Sequence, residues 1–304
     1  MDRQKVLAIV GPTGIGKTSL SVWLAKQLDG EIISCDSMQV YKKMDIGTAK
    51  VTQEEMQGIH HELIDVQNYN EPYNVKVFQE KCRTAIEDVV KRGKFPILCG
   101  GTGLYLKAAL YDYEFQEENE DIAYTTFLNS KTNEELVAML KEKDEKALEK
   151  IHPNNRKRLI RALQICHSGT SKSEQEDKQQ HIPLYDVYFL GLDVNREILH
   201  DRINKRVDIM FENGLVKEVE DLFTNPETWE YTSFQGIGYK EFKDYFLKEK
   251  SIDEVKTAIK THSRQYAKRQ YTWFKNQMPV HWFEAQNRDE IYSEVKEWLM
   301  DEDK

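Results

Sequence analysis

The chain has 304 residues, 39% of them apolar and 11% aromatic, which is enough to bury a core as one large domain or two modest ones. No apolar run approaches the ~20 residues a membrane span needs, and the opening MDRQKVLAIVGP reads as a charged start to a buried strand, not as a signal peptide. The net charge of −9 argues against a uniformly basic nucleic-acid binder.

The four cysteines, Cys35, Cys82, Cys99 and Cys166, form no C-x-x-C pair. They read as reduced thiols of a cytoplasmic protein, not as a zinc site or a disulfide framework.

In chain order, strand-like apolar runs fall at 5–11 (KVLAIVG), 30–36 (GEIISCD), 61–66 (HELIDV) and 95–101 (FPILCGG), then again at 185–194 and 280–285. Helical spacing covers 18–28 and 75–91, with Gly93 as a stop after the second helix. Short apolar strands alternating with helices predict an α/β fold of P-loop NTPase type, a parallel sheet with helices on both faces. Between about 115 and 183 no strand is evident, and charge-rich helical text dominates. It predicts an all-helical insertion ending in a polar, mobile loop at 169–181. The expected organisation is therefore a P-loop core in 1–115, a helical insertion in 116–184, and completion of the core with basic C-terminal helices in 185–304. Asn195 is placed to cap a helix that Gly214 terminates.

The run Gly11-Pro12-Thr13-Gly14-Ile15-Gly16-Lys17-Thr18 fits G-x-x-x-x-G-K-[ST], and it follows a predicted strand and opens a predicted helix. Backbone N–H groups and the helix N-terminus would hold phosphate there, Lys17 would add a mobile cation, and the Thr18 hydroxyl would ligate Mg²⁺. The same loop suits the phosphates of ATP. The 95–101 strand ends in glycine, without the metal-holding acid expected of an ATPase. The apolar strand that ends cleanly in acid is EIISCD, so Asp36 stands at the carboxyl end of a parallel strand, where open α/β sheets bind ligands. Asp36 is a candidate general base or acceptor-binding group. The alternative is a turn cap. Thr102, in CGGTGLY, is expected to line the same cleft, although its Gly-Gly pair would equally serve a tight strand-to-helix turn. Arg202 and Arg206, four apart on one helix, are candidates to reach a diphosphate.

From Val255 to Phe283 there is no Asp or Glu, while Lys256, Lys260, Arg264, Lys268, Arg269 and Lys275 all occur. Interleaved with Tyr266, Tyr271, Trp273 and Phe274, these suit phosphate contact and base stacking. A second basic knot is RKRLIR, 156–161, whereas acid concentrates at 114–121.

Taken together, GPTGIGKT, ISCDSMQVYKKMDIGTAK, GGTGLYLKAAL, IHPNNRKRLIRAL, GIGYKEF and SRQYAKRQYTWF occur in an order that resembles the tRNA dimethylallyltransferases (tRNA isopentenyltransferases), over nearly the whole chain. The resemblance is to the bacterial type, since the zinc-finger extension of eukaryotic members is missing. It implies transfer of a dimethylallyl group from dimethylallyl diphosphate to the exocyclic amine of the adenosine 3′-adjacent to the anticodon, position 37, in tRNAs reading codons that begin with uridine. The P-loop would then hold the diphosphate of an isoprenoid donor, with Mg²⁺, and that diphosphate would be the leaving group.

By the same resemblance, Asp36 is the base, and Asp36, Ser37, Met38, Gln39 and Thr102 approach the target base. Lys157, Arg158 and Arg161, then Gly236, Tyr239 and Lys240, then Arg264, Lys268, Arg269, Trp273 and Lys275 contact the anticodon stem-loop of tRNA. Arg206, ahead of Arg202, meets the diphosphate. A cytoplasmic monomer is expected. Gly14-Ile15 stands where the family usually has Ala-Ser, and Met38 replaces a residue that is often Arg. Thr125 falls near a position that commonly offers Arg to the RNA, in a segment shorter than usual, so that contact is expected to be lost or supplied elsewhere.

Two rivals share part of this pattern. A small-molecule P-loop kinase using ATP would use the loop and Asp36 but leaves the basic-aromatic segment unexplained. A non-enzymatic RNA-binding NTPase switch would hydrolyse nucleotide without modifying a base.

Overall fold

A computed structural model describes residues 3–115, 121–169, 171–174 and 181–301. Strand β1 (Lys5–Val10) leads through the glycine loop into helix α1 (Lys17–Leu28). There follow β2 (Gly30–Ser34), the single turn α2 (Gln53–Met56), β3 (His61–Glu62), α3 (Val75–Lys91), β4 (Phe95–Gly100) and α4 (Gly103–Leu110). Helices α5 (Ile122–Asn129), α6 (Asn133–Asp144) and α7 (Arg156–His167) come next. The chain continues with β5 (Asp186–Asp193), α8 (Arg196–Glu212), α9 (Leu215–Leu222), α10 (Ile252–Gln277), β6 (His281–Glu284) and α11 (Arg288–Met300).

The strands form one sheet in the order β3-β2-β4-β1-β5-β6, every pair parallel. Strand β1 lies in its interior, and alternate residues feed opposite faces. Val6, Ala8 and Val10 join Phe78, Ile86, Leu106 and Phe274 on one side, whereas Leu7 and Ile9 join Leu20, Leu24, Ile291 and Val295 on the other. Burial on both faces is why these strands read as continuous apolar runs. The 61–66 run pairs only over His61–Glu62, because Leu63 and Asp65 take positive φ (64° and 55°) and turn the backbone out of the ladder.

The chain divides into two compact units, Met1–Tyr111 with Pro183–Lys304, and Asp112–Ile182. The smaller unit is built on α5, α6 and α7, closed around Leu128, Leu136, Leu140, Leu159 and Leu163. A reciprocal capping box between Thr132 and Glu135 starts α6, and the Asn155 side chain caps α7. Most of the acidic 114–121 run and of the polar 169–181 segment lies outside the described residues. Among the described residues no helix is long and apolar enough to cross a membrane.

Candidate active site

The glycine loop joins the carboxyl end of β1 to α1. Gly16 occupies the cap position of α1 at φ 107°, a left-handed conformation that admits glycine without strain, and no side chain caps the helix. Among the described residues, the N–H groups of Gly14, Ile15, Gly16, Lys17 and Thr18 have no protein acceptor. Unpaired donors at a helix N-terminus form an anion site. Lys17 Nζ folds back on the loop and donates to Gly11 O at 2.9 Å and Pro12 O at 2.8 Å. Burial pulls its pKa down to about 8, opposed by Cys99 and Asp36 and reinforced by Arg206.

Asp36 follows β2. Its Oδ1 accepts the N–H groups of Met38 at 2.8 Å and Gln39 at 3.3 Å, so the carboxylate does cap the turn. Its Oδ2 has no hydrogen-bond partner among the described residues, and the residue lines the cleft, so the capping role is present and leaves one carboxylate oxygen unengaged. Cys35 N–H donates to Cys99 O at 2.8 Å, which holds the end of β2 against the end of β4, where Thr102 opens α4. The Thr102 side chain makes no cap bond and lines the cleft.

The half-buried Arg206 donates to Thr13 Oγ1 and to Ala49 O, both at 3.3 Å. Its burial lowers its pKa, while Asp36 and Glu55 act to raise it. Arg202 is exposed and, among the described residues, donates only to Ile15 O, at 3.4 Å.

Two cavities meet here. The first, about 630 Å³, is lined by Gly14, Gly16, Lys17, Thr18, Cys99 and Arg202. The second, about 490 Å³, is lined by Met38, Tyr73, Thr102, Tyr105, Val207, Ile237 and Lys240, a more apolar set. Thr13, Asp36, Thr48, Arg206, Met210 and Tyr266 line both. Burial, with Asp36 close by, pushes the Tyr266 phenol up to about 12, so it remains a hydrogen-bond donor at neutral pH. A phosphate cradle thus opens onto an apolar chamber, and a carboxylate and an arginine stand at the junction.

Of the residues expected on RNA, Ser37, Met38, Thr102, Gly236, Lys240 and Arg269 line the second cavity, and Gln39 lines the first. Lys268, Arg269 and Trp273 share a shallow groove along the outer side of α10, and Lys275 is exposed over the Tyr271 ring at 4.4 Å. In the smaller unit, Lys157, Arg158 and Arg161 are exposed on α7, and Thr125 Oγ1 accepts from Gln164 Nε2 at 2.8 Å.

Two expectations need correction. Tyr239 is fully buried with its hydroxyl donated to Glu218 Oε1 at 2.7 Å, so it holds the fold instead of facing RNA. The basic stripe on α10 is partly neutralised, because Lys256 and Lys260 both pair with Asp208 of α8, at 2.6 and 2.7 Å, while Arg264 keeps its charge and is tethered by donating to the neutral Asn204 amide at 2.5 Å. The buried face of α10 carries Val255, Ile259, Ala267, Gln270 and Phe274, while Tyr266 turns toward the cleft. Gln270 and Tyr105 were not singled out as site residues by the sequence, whereas Tyr266, read there as a base-stacking aromatic, lines both cavities. The signal at Gln270 was a lone amide inside otherwise basic helical text, and Tyr105 stood in the CGGTGLY stretch beside Thr102.

An IPP transferase family model matches residues 39–277. A tRNA dimethylallyltransferase of Bacillus anthracis is 48% identical over 98% of this chain and 96% of its own. A crystal structure of the full-length tRNA isopentenylpyrophosphate transferase of Bacillus halodurans superposes with a TM-score of 0.75 at 41% identity, covering 98% of this chain and 97% of that one. A eukaryotic dimethylallyltransferase acting on tRNA matches with a TM-score of 0.81 at 32% identity, covering 96% of this chain and 77% of that one. The fold and cleft are those of a P-loop prenyltransferase. The chain belongs to the tRNA dimethylallyltransferase (IPP transferase) family, and the kinase alternative is not favoured.

Proposed function

We propose that this cleft transfers a dimethylallyl group from dimethylallyl diphosphate to the exocyclic amine of adenosine 37 in tRNAs reading codons that begin with uridine. The observation that carries the proposal is the meeting, at Asp36 and Arg206, of a phosphate cradle with an apolar chamber. The diphosphate lies on the N–H groups of Gly14 to Thr18, with Lys17 leaving the loop carbonyls to pair with it and Arg206 approaching from α8. The five-carbon tail points into the apolar chamber. The adenine, extruded from the anticodon loop, enters that chamber from the side of Lys240 and Arg269.

The allylic carbon–oxygen bond breaks as the amine nitrogen bonds to that carbon. The amine proton passes to Asp36 Oδ2, and diphosphate departs carrying the bonding electrons. The bond from Oδ1 to the turn keeps the carboxylate aimed during this step. Thr102 and Tyr266 flank it and can hold the base. The residues present suit Mg²⁺: Thr18, a hydroxyl-bearing residue, lines the first cavity, and Mg²⁺ typically takes few protein ligands, with phosphate oxygens and water completing its shell. When bound it would neutralise part of the diphosphate charge. RNA is gripped by the groove of Lys268, Arg269 and Trp273 and by the basic face of α7. A tRNA substrate of this kind suits work in the cytoplasm.

The test is to incubate the protein with Mg²⁺, dimethylallyl diphosphate and unmodified tRNA, then digest the RNA and analyse it by mass. A prenylated adenosine is expected. Absence of that product, with label passing from γ-labelled ATP to a small acceptor, would overturn the reading in favour of a kinase.

A further inference from the structure

Gln270 lies on the buried face of α10 and is 7% exposed. Its carboxamide spans two loops from different strands. Oε1 accepts the Thr13 N–H at 2.9 Å, and Nε2 donates to Gly101 O at 2.9 Å. Gly101 must lack a side chain for this, since a Cβ there would lie 2.1 Å from Nε2. One uncharged group that both accepts and donates across this span describes glutamine, and asparagine is too short.

The bridge sits at a consequential place. Thr13 immediately precedes the unpaired N–H groups of the glycine loop and also receives the Arg206 guanidinium. Gly101 immediately precedes Thr102, beside Asp36. Lys268 and Arg269, the residues just before Gln270, are exposed and line the groove, with Arg269 also at the edge of the second cavity. A single helix therefore presents its cations to the exterior while its amide sets the separation between the two loops.

We propose that Gln270 is a positioning residue for the reaction. By fixing the glycine loop against the 99–103 loop, it sets the geometry in which the leaving diphosphate is held relative to Asp36, and it makes no contact with RNA. This rests on the reading that the glycine loop holds the diphosphate.

Two variants test it, Gln270→Met and Gln270→Glu, with inorganic pyrophosphate plus Mg²⁺ as the probe of the cradle. For Gln270→Met, misplacement of the cradle should weaken pyrophosphate binding roughly tenfold or more and slow single-turnover prenylation by about 10–10²-fold, with tRNA affinity within about twofold of wild type. Gln270→Glu keeps the shape. When ionised it can still accept from Thr13 N–H but repels Gly101 O, and when protonated it can donate to that oxygen. Its rate relative to wild type should therefore rise as pH falls, a response that a purely structural role would not produce. Gln270→Glu keeps the test open if Gln270→Met fails to fold.

The proposal is overturned if folded Gln270→Met binds pyrophosphate and reacts like wild type, if tRNA and pyrophosphate affinity fall equally, or if the Gln270→Glu ratio is flat with pH. Lys17→Ala separates the two layers. If it loses pyrophosphate affinity while Gln270→Met keeps it, only the positioning role fails. If Lys17→Ala also binds normally, the cradle reading itself fails.

Discussion

The Tyr239 hydroxyl donates to Glu218 Oε1 at 2.7 Å, and the same carboxylate accepts the backbone N–H groups of Asp45, Ile46 and Gly47 at 2.8, 2.7 and 2.9 Å. This latch fastens the 45–49 segment, whose Thr48 faces both cavities and whose Ala49 carbonyl receives Arg206. Tyr239→Phe removes one hydrogen bond to a charged acceptor and should cost about 1–3 kcal/mol in urea unfolding. Affinity for tRNA should be unchanged. Unaltered stability combined with weakened tRNA binding would return Tyr239 to the RNA surface.

Donor affinity should depend on pH through Lys17. Burial lowers its pKa to about 8 in the free protein. A bound diphosphate stabilises the ammonium form and so raises that pKa. The sign follows: affinity is greatest below pH 8 and falls by up to about tenfold per pH unit above it, until the pKa of the complex is reached. Calorimetry at about pH 9 in two buffers of different ionisation enthalpy should register proton uptake on binding. Constant affinity from neutral pH to about 10, without proton uptake, would place Lys17 away from the diphosphate.

The lysines of α10 divide into two groups. Replacing Lys268 and Arg269 together by Ala should reduce the slope of log affinity for tRNA against log salt by roughly one to two phosphate equivalents. Replacing Lys256 and Lys260 should change that slope less, because both share the Asp208 carboxylate, which they hold below its ordinary range and which offsets one of their two charges. Equal effects from the two pairs would mean that Asp208 does not sequester Lys256 and Lys260 in solution.

The parts of the site legible in the sequence were those whose chemistry is local. The P-loop spacing specifies its own backbone, and EIISCD ends in an acid at a strand terminus, so both needed only neighbouring residues to be recognised. What escaped depends on partners far along the chain. Gln270 meets Thr13 across 257 positions, and Lys260 meets Asp208 across 52. A stretch without acid looked like an open cationic stripe because its counter-ion sits on another helix. GIGYK looked like surface text, and nothing within it shows that the tyrosine ring turns inward to a carboxylate on α9. The 61–66 run was shortened by positive φ at Leu63 and Asp65, which apolar patterning does not encode.

The central claim is that Asp36 removes the proton from the attacking amine, and single-turnover prenylation by Asp36→Asn tests it most directly. Asn can keep the bonds from Oδ1 to the N–H groups of Met38 and Gln39, so the turn should survive. It cannot take a proton at neutral pH. With donor and tRNA both saturating, and binding of each measured on the same variant, the rate should fall by about 10²–10⁴-fold while both affinities stay near wild type. An Asn variant that binds both substrates and prenylates at close to the wild-type rate would contradict the account, leaving Asp36 as the cap of a turn.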